Sequence, residues 1–275
     1  MRILVKIGGA QLEDAGPRQA LCDSLAAARR AGHELIVVHG GGNQIRTVCK
    51  SMGIADRYHA GLRITDARTA EVVLMVLGGL VNRTLVAALQ HAGVPAAGLC
   101  GADGGSFTAE KLEVPGVDLG FVGAVDNVRP ELVQTLLRSG HVPVIATVAP
   151  RAAAADGEPF LNLNADHAAG PLCRAFGCDA LLFLTDVPGV LDARGELIAE
   201  LTPAACEQLV RDGTATGGML PKLDAALRAL RDNPLALVKI APGGAPDAVL
   251  HALRPDTGTS FRGDSVLLTR DHHDG

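Results

Sequence analysis

Two hydrophobic rhythms alternate along this chain. Short, almost wholly apolar runs are each followed by a longer stretch in which apolar residues recur at helical spacing. That alternation predicts buried strands separated by amphipathic helices, and so a mainly parallel sheet flanked by helices. Ile3 to Ile7 reads as a strand and about Pro17 to Ala31 as a helix. Glu34 to Val38 is the next strand, with a helix from about Asn43. Asp66 to His91 reads as one long helix, apolar around most of its girth between Val72 and Leu80. Such a helix is buried on more than one side, as a core helix or as a core helix that also makes a subunit contact. Val94 to Leu99 is a third strand, and Phe107 to Val128 reads as hairpins. Glu131 to Ser139 is a helix, Val142 to Val148 a strand, Ala165 to Phe176 a helix and Ala180 to Leu184 a strand. Helices near Ala204 to Val210 and Pro221 to Arg231 follow, with strands near Leu235 to Ile240 and Val266 to Thr269. A lobe boundary is expected around residues 168 to 178.

Composition removes several classes of function. The formal charge is −5, with one Tyr and no Trp, so the basic patch and stacking platforms of a nucleic-acid binder are missing. No apolar run approaches the length of about 20 residues that a membrane span needs. The densest stretch, Val72 to Val81, is broken by Gly78 and Gly79. The 6 cysteines are scattered without a CxxC pair and read as reduced thiols, with no metal site expected. A soluble cytoplasmic protein is expected.

Candidate chemistry gathers at loops. Two glycine-rich turns, Val5-Lys6-Ile7-Gly8-Gly9 and Val38-His39-Gly40-Gly41-Gly42, end the first two strands. Glycine lets backbone N–H groups approach an anion closely, and ligands of parallel sheets bind beyond the carboxyl ends of the strands. Neither turn fits a Walker or dinucleotide motif, and an ordinary tight turn explains each one alone. Arg63, in Gly61-Leu62-Arg63-Ile64-Thr65-Asp66, offers a fork for a carboxylate, while Thr65 or Asp66 suits a helix cap. Asn162-Leu163-Asn164-Ala165-Asp166 opens another helix, where Asp166 is either a cap or a ligand-side carboxylate. Thr185 to Val190 follows a buried strand and ends in a Pro-Gly turn. Lys222 starts a helix after Gly217-Gly218, where its charge opposes the helix dipole unless an anion is bound.

Taken in order, VKIGG, VHGGG, GLRITD, the Val81-Asn82 pair, DLGFVG, NLNAD, LTDVPGVL and GGMLPK resemble the amino-acid kinase family, its acetylglutamate kinase branch most of all. The likeness runs from about residue 3 to the GTSF segment at Gly258 to Phe261. It implies a three-layer α/β/α sandwich, with residues 1–172 forming an N-terminal lobe for the acylated amino acid and the dimer contact. Residues 173–275 would form the ATP lobe. By that resemblance Lys6 and Lys222 neutralise the transferring phosphoryl group and Asp166 holds both lysines. Gly8, Gly9, Gly41 and Gly42 cradle phosphoryl group and substrate, and Arg63 and Asn162 grip the acylated amino acid. Thr185, Asp186, Val187, Pro188, Gly189 and Val190, with Thr214, Ala215 and Thr216, form the nucleotide pocket. The segment between Leu112 and Val125 is short, and Ala124 stands where many relatives carry an acid.

The implied reaction uses ATP with Mg²⁺ to phosphorylate the side-chain carboxylate of N-acetyl-L-glutamate. That carboxylate is already ionised at neutral pH, so no general base is needed, only alignment and charge neutralisation. The alternatives are a kinase for N-succinylglutamate or a carrier-linked aminoadipate or glutamate, and a non-catalytic metabolite-sensing homologue. The family's arginine-inhibited members carry a helix ahead of the first strand. Only five residues precede Lys6 here, so a homodimer indifferent to arginine is the expectation.

Overall fold

The first apolar run becomes the strand at the middle of the molecule. In the computed structural model, which describes residues 1–263, the chain opens with β1 (Arg2–Ile7), α1 (Ala15–Arg30), β2 (Glu34–His39) and α2 (Gly42–Ser51). A short hairpin of β3 (Tyr58–His59) and β4 (Leu62–Arg63) leads into a continuous helix, Ala67–His91. That helix comprises α3 (Ala67–Leu74), a π-helical segment Met75–Val81 and α4 (Asn82–His91). Then come β5 (Ala96–Leu99), β6 (Phe107–Lys111), β7 (Val122–Val128), α5 (Glu131–Arg138), β8 (Val142–Ala146), β9 (Val148–Ala149) and β10 (Leu161–Leu163). The last part holds α6 (Ala165–Ala175), β11 (Ala180–Thr185), β12 (Glu200–Leu201), α7 (Pro203–Arg211), α8 (Met219–Asp232), β13 (Leu237–Pro242), α9 (Ala248–Ala252) and β14 (Thr259–Phe261).

Eight strands form the main sheet in the order β12-β14-β13-β11-β1-β2-β8-β5. Pairing is parallel except between β13 and β14. From β1 the chain moves to β2 on one side, and later to β11 on the other. The ends of β1 and its neighbours therefore sit at a topological switch point, where parallel sheets leave a crevice for a ligand. Helices cover both faces, which is why the strands are apolar throughout rather than alternating. Ile3, Val5 and Ile7 of β1 join the cluster containing Leu21, Leu25, Leu77 and Leu85, on the side of α1 and the long helix. Leu4 joins the cluster containing Leu172, Phe176 and Leu223, on the side of α6 and α8.

A second sheet, β6-β7-β10-β9, explains the region expected as hairpins. β6 and β7 are an antiparallel pair, but β7 also runs parallel to β10, a partner far along the chain. Local pattern carries no sign of that pairing. The expected single strand Val142 to Val148 is broken at Thr147, so that β8 belongs to the main sheet and β9 to the second. β10, β12, β14 and α9 are too short to show a rhythm. The expected strand Val266 to Thr269 lies outside the described residues.

The long helix bears out its reading as a core helix and corrects only the expectation that no apolar stretch approaches the length of a membrane span. Ala67–His91 is long and apolar enough to cross a membrane by length and composition. Val72, Val73, Val76, Leu77, Val81, Leu85 and Leu89 are nonetheless buried in the core cluster, and Asn82 is buried among polar partners. It is the core helix of this fold. Its outer side leaves Met75 at 53% and Leu80 at 56% exposed.

α6 and α8 cross closely because α6 carries a glycine at the contact. A Cβ on Gly170 would stand 3.0 Å from Ala229 Cα. Asn233 Nδ2 donates to Gly170 O at 3.1 Å and fixes the crossing. Gly170→Val should therefore force α8 off α6. Overpacking of this kind costs about 1–3 kcal/mol, and the loss should appear as a lower midpoint with unchanged slope in urea unfolding.

Candidate active site

Side-chain alternation along β1 sends Lys6 to the same face as Leu4, toward α6. There its ammonium meets Asp166 Oδ1 at 2.6 Å, with both side chains largely buried. Burial is the largest influence on Lys6 and pulls it below its ordinary value of 10.5, Asp166 opposes that pull, and Lys222 adds to it. For Asp166, burial works to raise the carboxyl, but Lys6 and Lys222 outweigh it and hold it below 3.8. The two lysines and one carboxylate thus act on each other electrostatically, although they come from β1, α6 and α8. Asp166 is not the helix cap. Asn164 takes that role, its Oδ1 accepting from the N–H groups of Asp166 at 2.9 Å and His167 at 3.2 Å. The Asp166 side chain is left free for the lysines.

The two glycine turns touch. A Cβ on Gly9 would lie 3.3 Å from both Gly41 Cα and Gly42 N, and one on Gly41 would lie 2.8 Å from Leu77 Cδ2. Around Gly8 and Gly42, by contrast, nothing lies within 4 Å of such an atom, so these backbones face open space. Gly41 caps α2 with no side chain on its first amides, which leaves N–H groups for an anion. Gln44 Nε2 donates to Gly9 O at 3.2 Å and ties one turn to the other.

A cavity of about 310 Å³ opens beside these groups. Lys6, Gly9, Gly41, Gly42, Arg63, Asn162 and Asp166 all line it. Arg63 is buried, its guanidinium paired with Asp56, donating to Gly42 O at 2.9 Å and lying 4.9 Å from the Tyr58 ring centre. Asn162 Nδ2 donates to Thr65 Oγ1 at 3.2 Å. Asp66 caps the long helix by accepting from Thr69 N–H at 2.8 Å, and Thr65 backs Arg63 by donating to its carbonyl at 2.8 Å. The DLGFVG segment holds this loop from the other side. Phe121 N–H donates to Thr65 O at 2.6 Å, and a Cβ on Gly120 would fall 2.1 Å from that oxygen. Sequence reasoning missed Tyr58, Arg46, Asn43 and Thr147 at this cavity and Asp56, which pairs with Arg63; they belong to no recognisable pattern, and only the fold brings them in.

The other expected residues lie elsewhere. Thr185 ends β11, and its hydroxyl donates to Asp186 at 3.0 Å. Asp186 and Pro188 are exposed, Val187 is half-buried, and Gly189 and Val190 are buried. Gly189, at φ +150°, has Leu197 and Thr259 where a side chain would go, and Val190 N–H donates to Thr259 Oγ1 at 2.9 Å. The Thr214 and Ala215 N–H groups both bond Leu209 O at 3.0 Å, and Thr216 is exposed. Val190 and Ala215 share one apolar cluster, but none of these residues lines the cavity beside Lys6.

The model of the Amino acid kinase family matches residues 1–239. The chain belongs to the amino acid kinase family. Two of its relatives are named acetylglutamate kinase. One, from Solibacter usitatus (strain Ellin6076), is 45% identical over 92% of this chain and 95% of its own length. The other, from Koribacter versatilis (strain Ellin345), is 44% identical over 90% and 93%. Among solved structures, smu.665 from Streptococcus mutans UA159 superposes with a TM-score of 0.80 at 26% identity, covering 96% of this chain and 99% of that one. The α/β sandwich is thus that of other amino acid kinases.

In this amino acid kinase the Lys6–Asp166 contact has a stability signature. Asp166 is held below 3.8 in the folded chain, so its contribution is fully present above that value and is lost as pH falls through the folded pKa. Asp166→Asn should destabilise by a constant amount from neutral pH down to about 4, and by progressively less below it. Urea unfolding of both proteins across that range measures the difference.

Proposed function

We propose that this chain phosphorylates the side-chain carboxylate of N-acetyl-L-glutamate with ATP, giving N-acetyl-L-glutamyl 5-phosphate, the second step of arginine biosynthesis. The observation that carries the reading is the placement of the Lys6–Asp166 pair at one side of a cavity that also holds Arg63. Relatives named acetylglutamate kinase at 44% and 45% identity supply the acceptor. The nucleophile is an ionised carboxylate and the electrophile a phosphoryl group, so both approach as anions. The protein's work is to bring them into line and to offset their repulsion. Lys6 and Lys222 supply positive charge to the transferring group, and Asp166 keeps the two ammoniums apart and aimed. Amides at Gly9, Gly41 and Gly42 donate to phosphoryl and substrate oxygens. Arg63 and Asn162 grip the main-chain carboxylate and amide of the acylated amino acid.

Gly8, Thr185 to Val190 and Thr214 to Thr216 take the nucleotide in this reading, residues 1–172 acting as the acceptor lobe and 173–275 as the ATP lobe. Mg²⁺ enters with ATP as part of the substrate and neutralises its β- and γ-oxygens. All 6 cysteines are free, which fits a reducing cytoplasm. A homodimer is supported by the exposed Met75 and Leu80 on the outer side of the core helix.

Incubation with ATP, Mg²⁺ and hydroxylamine should yield a hydroxamate from N-acetyl-L-glutamate. Free glutamate should react poorly, because its ammonium loses hydration at a site shaped for an amide. Equal rates with both, or a clear preference for N-succinylglutamate or aminoadipate, would move the acceptor elsewhere. Arg63→Ala should raise KM for the acceptor about 10- to 100-fold, the loss of one charge-assisted contact, with a smaller change in KM for ATP.

Light scattering should give twice the monomer mass for the wild type. Leu80→Asp should give the monomer mass, since a carboxylate is costly to bury at an apolar contact.

A further inference from the structure

The Val81-Asn82 pair has no part in the chemistry described so far, yet Asn82 is among the most completely buried polar residues of the molecule. Both Asn82 and His39 are 0% exposed. His39 ends β2 and follows Leu35 and Val37 toward the long helix, immediately before Gly40-Gly41-Gly42. Asn82 begins α4, directly after the π-helical segment whose Leu77 and Val81 lie against Gly41.

The hydrogen bonds between them allow one protonation pattern. Asn82 Nδ2 lies 2.9 Å from Val144 O and 3.0 Å from His39 Nε2. A carbonyl only accepts, so the amide end facing Val144 must be the NH₂ group. The same NH₂ faces Nε2, which must therefore accept. The ring proton is then on Nδ1, 2.9 Å from Gly40 O, another pure acceptor. Burial pushes His39 down to about 4, so the ring is neutral at neutral pH, as this pattern requires. Thr147 Oγ1 donates to His39 O at 3.2 Å and holds the backbone at the same point.

We propose that Asn82 and His39 form a strut that sets the orientation of the Gly40–Gly41 peptide, and that both are positioning residues for phosphoryl transfer. The idea rests on the kinase reading above. With Gly40 O held by the buried imidazole, the trans peptide turns the Gly41 N–H to the opposite side. Gly41 lines the cavity, and its amide opens the run of unpaired N–H groups at the start of α2. The strut carries a standing cost, which argues for a role beyond packing. Asn82 Oδ1 is buried with no hydrogen-bond partner among the described residues, a penalty an apolar residue would avoid. That oxygen sits over Gly98, where a Cβ would stand 1.8 Å away, so only glycine there leaves the amide in place.

Replacing His39 in two ways separates the strut from simple packing. His39→Asn keeps an N–H near the Nδ1 position and should retain kcat with N-acetyl-L-glutamate within about tenfold. His39→Gln keeps a polar end near Nε2 but loses the bond to Gly40 O, and should lower kcat about a hundredfold, the scale of one electrostatic contact. KM for ATP should move little in either. If His39→Gln does not fold, Gly98→Ala leaves both strut residues in the chain and should lower kcat by displacing the amide. Nitrogen NMR of ¹⁵N-histidine-labelled protein should show His39 protonated on Nδ1 alone at neutral pH, and Gly98→Ala should disturb that pattern. Equal kcat in the two His39 variants, or a proton on Nε2, overturns the strut. A wild type inert toward N-acetyl-L-glutamate overturns the kinase reading and the positioning role with it, whereas the tautomer is read on the unliganded protein and tests the strut alone.

Discussion

The ion pair between Lys6 and Asp166 sets the terms for everything around it. A buried ammonium and a buried carboxylate each lose several kcal/mol of hydration, and they regain it only in close, well-held geometry. Holding them requires β1 in the middle of the sheet, α6 against the face that carries Leu4, and Asn164 rather than Asp166 as the cap of α6. Gly170 then lets α8 lie close enough against α6 for Lys222 to act on both partners. Two lysines against one carboxylate leave a net positive charge around Asp166. In the proposed reaction that charge favours the incoming phosphoryl group.

The sheet divides the site between its two faces. Alternation along β1 sends Lys6 toward α6, while alternation along β2 sends His39 the other way, toward the core helix. The glycine turns stand between, above the strand ends, with charge on one side and a neutral hydrogen-bonded strut on the other. Gly40 lies beside the start of α6, where a Cβ on it would be in ordinary contact with the Cβ of Ala165 at 3.4 Å. The ties actually made are those of His39 Nδ1 to Gly40 O and of Gln44 Nε2 to Gly9 O, which in the proposed reaction would help the turns present fixed donors to a charged group.

Arg63 is held in place before any ligand is bound. Its guanidinium is buried and lowered by burial, and it is paired with Asp56, which also lies 3.3 Å from Arg46. Asp56 orients the fork and offsets its desolvation, and in the proposed reaction the remaining donors of the fork would meet a substrate carboxylate. Tyr58, itself exposed, lies over the guanidinium with its ring centre 4.9 Å away.

How much was legible beforehand follows from the range of the forces involved. Strand and helix rhythms along β1, β2, α1, α6 and β11 are local consequences of burial on two faces, so residue order alone predicts them within a residue or two at most ends. Lys6, Arg63, Asn162 and Asp166 stood out because glycine turns and helix starts restrict what residue types are useful beside them. Pairings between distant segments have no local trace: β7 with β10, the break at Thr147, Asp56 against Arg63, and Asn82 against His39. The helix Ala67–His91 shows the division most clearly. Its sequence determined a long, nearly all-round apolar helix buried on more than one side. Only the tertiary structure decided which strands this helix lies against, that Leu77 and Val81 meet the Gly41 turn and that an asparagine is hidden beneath it. Those choices depend on what packs against each face, and the packing partners come from parts of the chain that a periodic pattern cannot see.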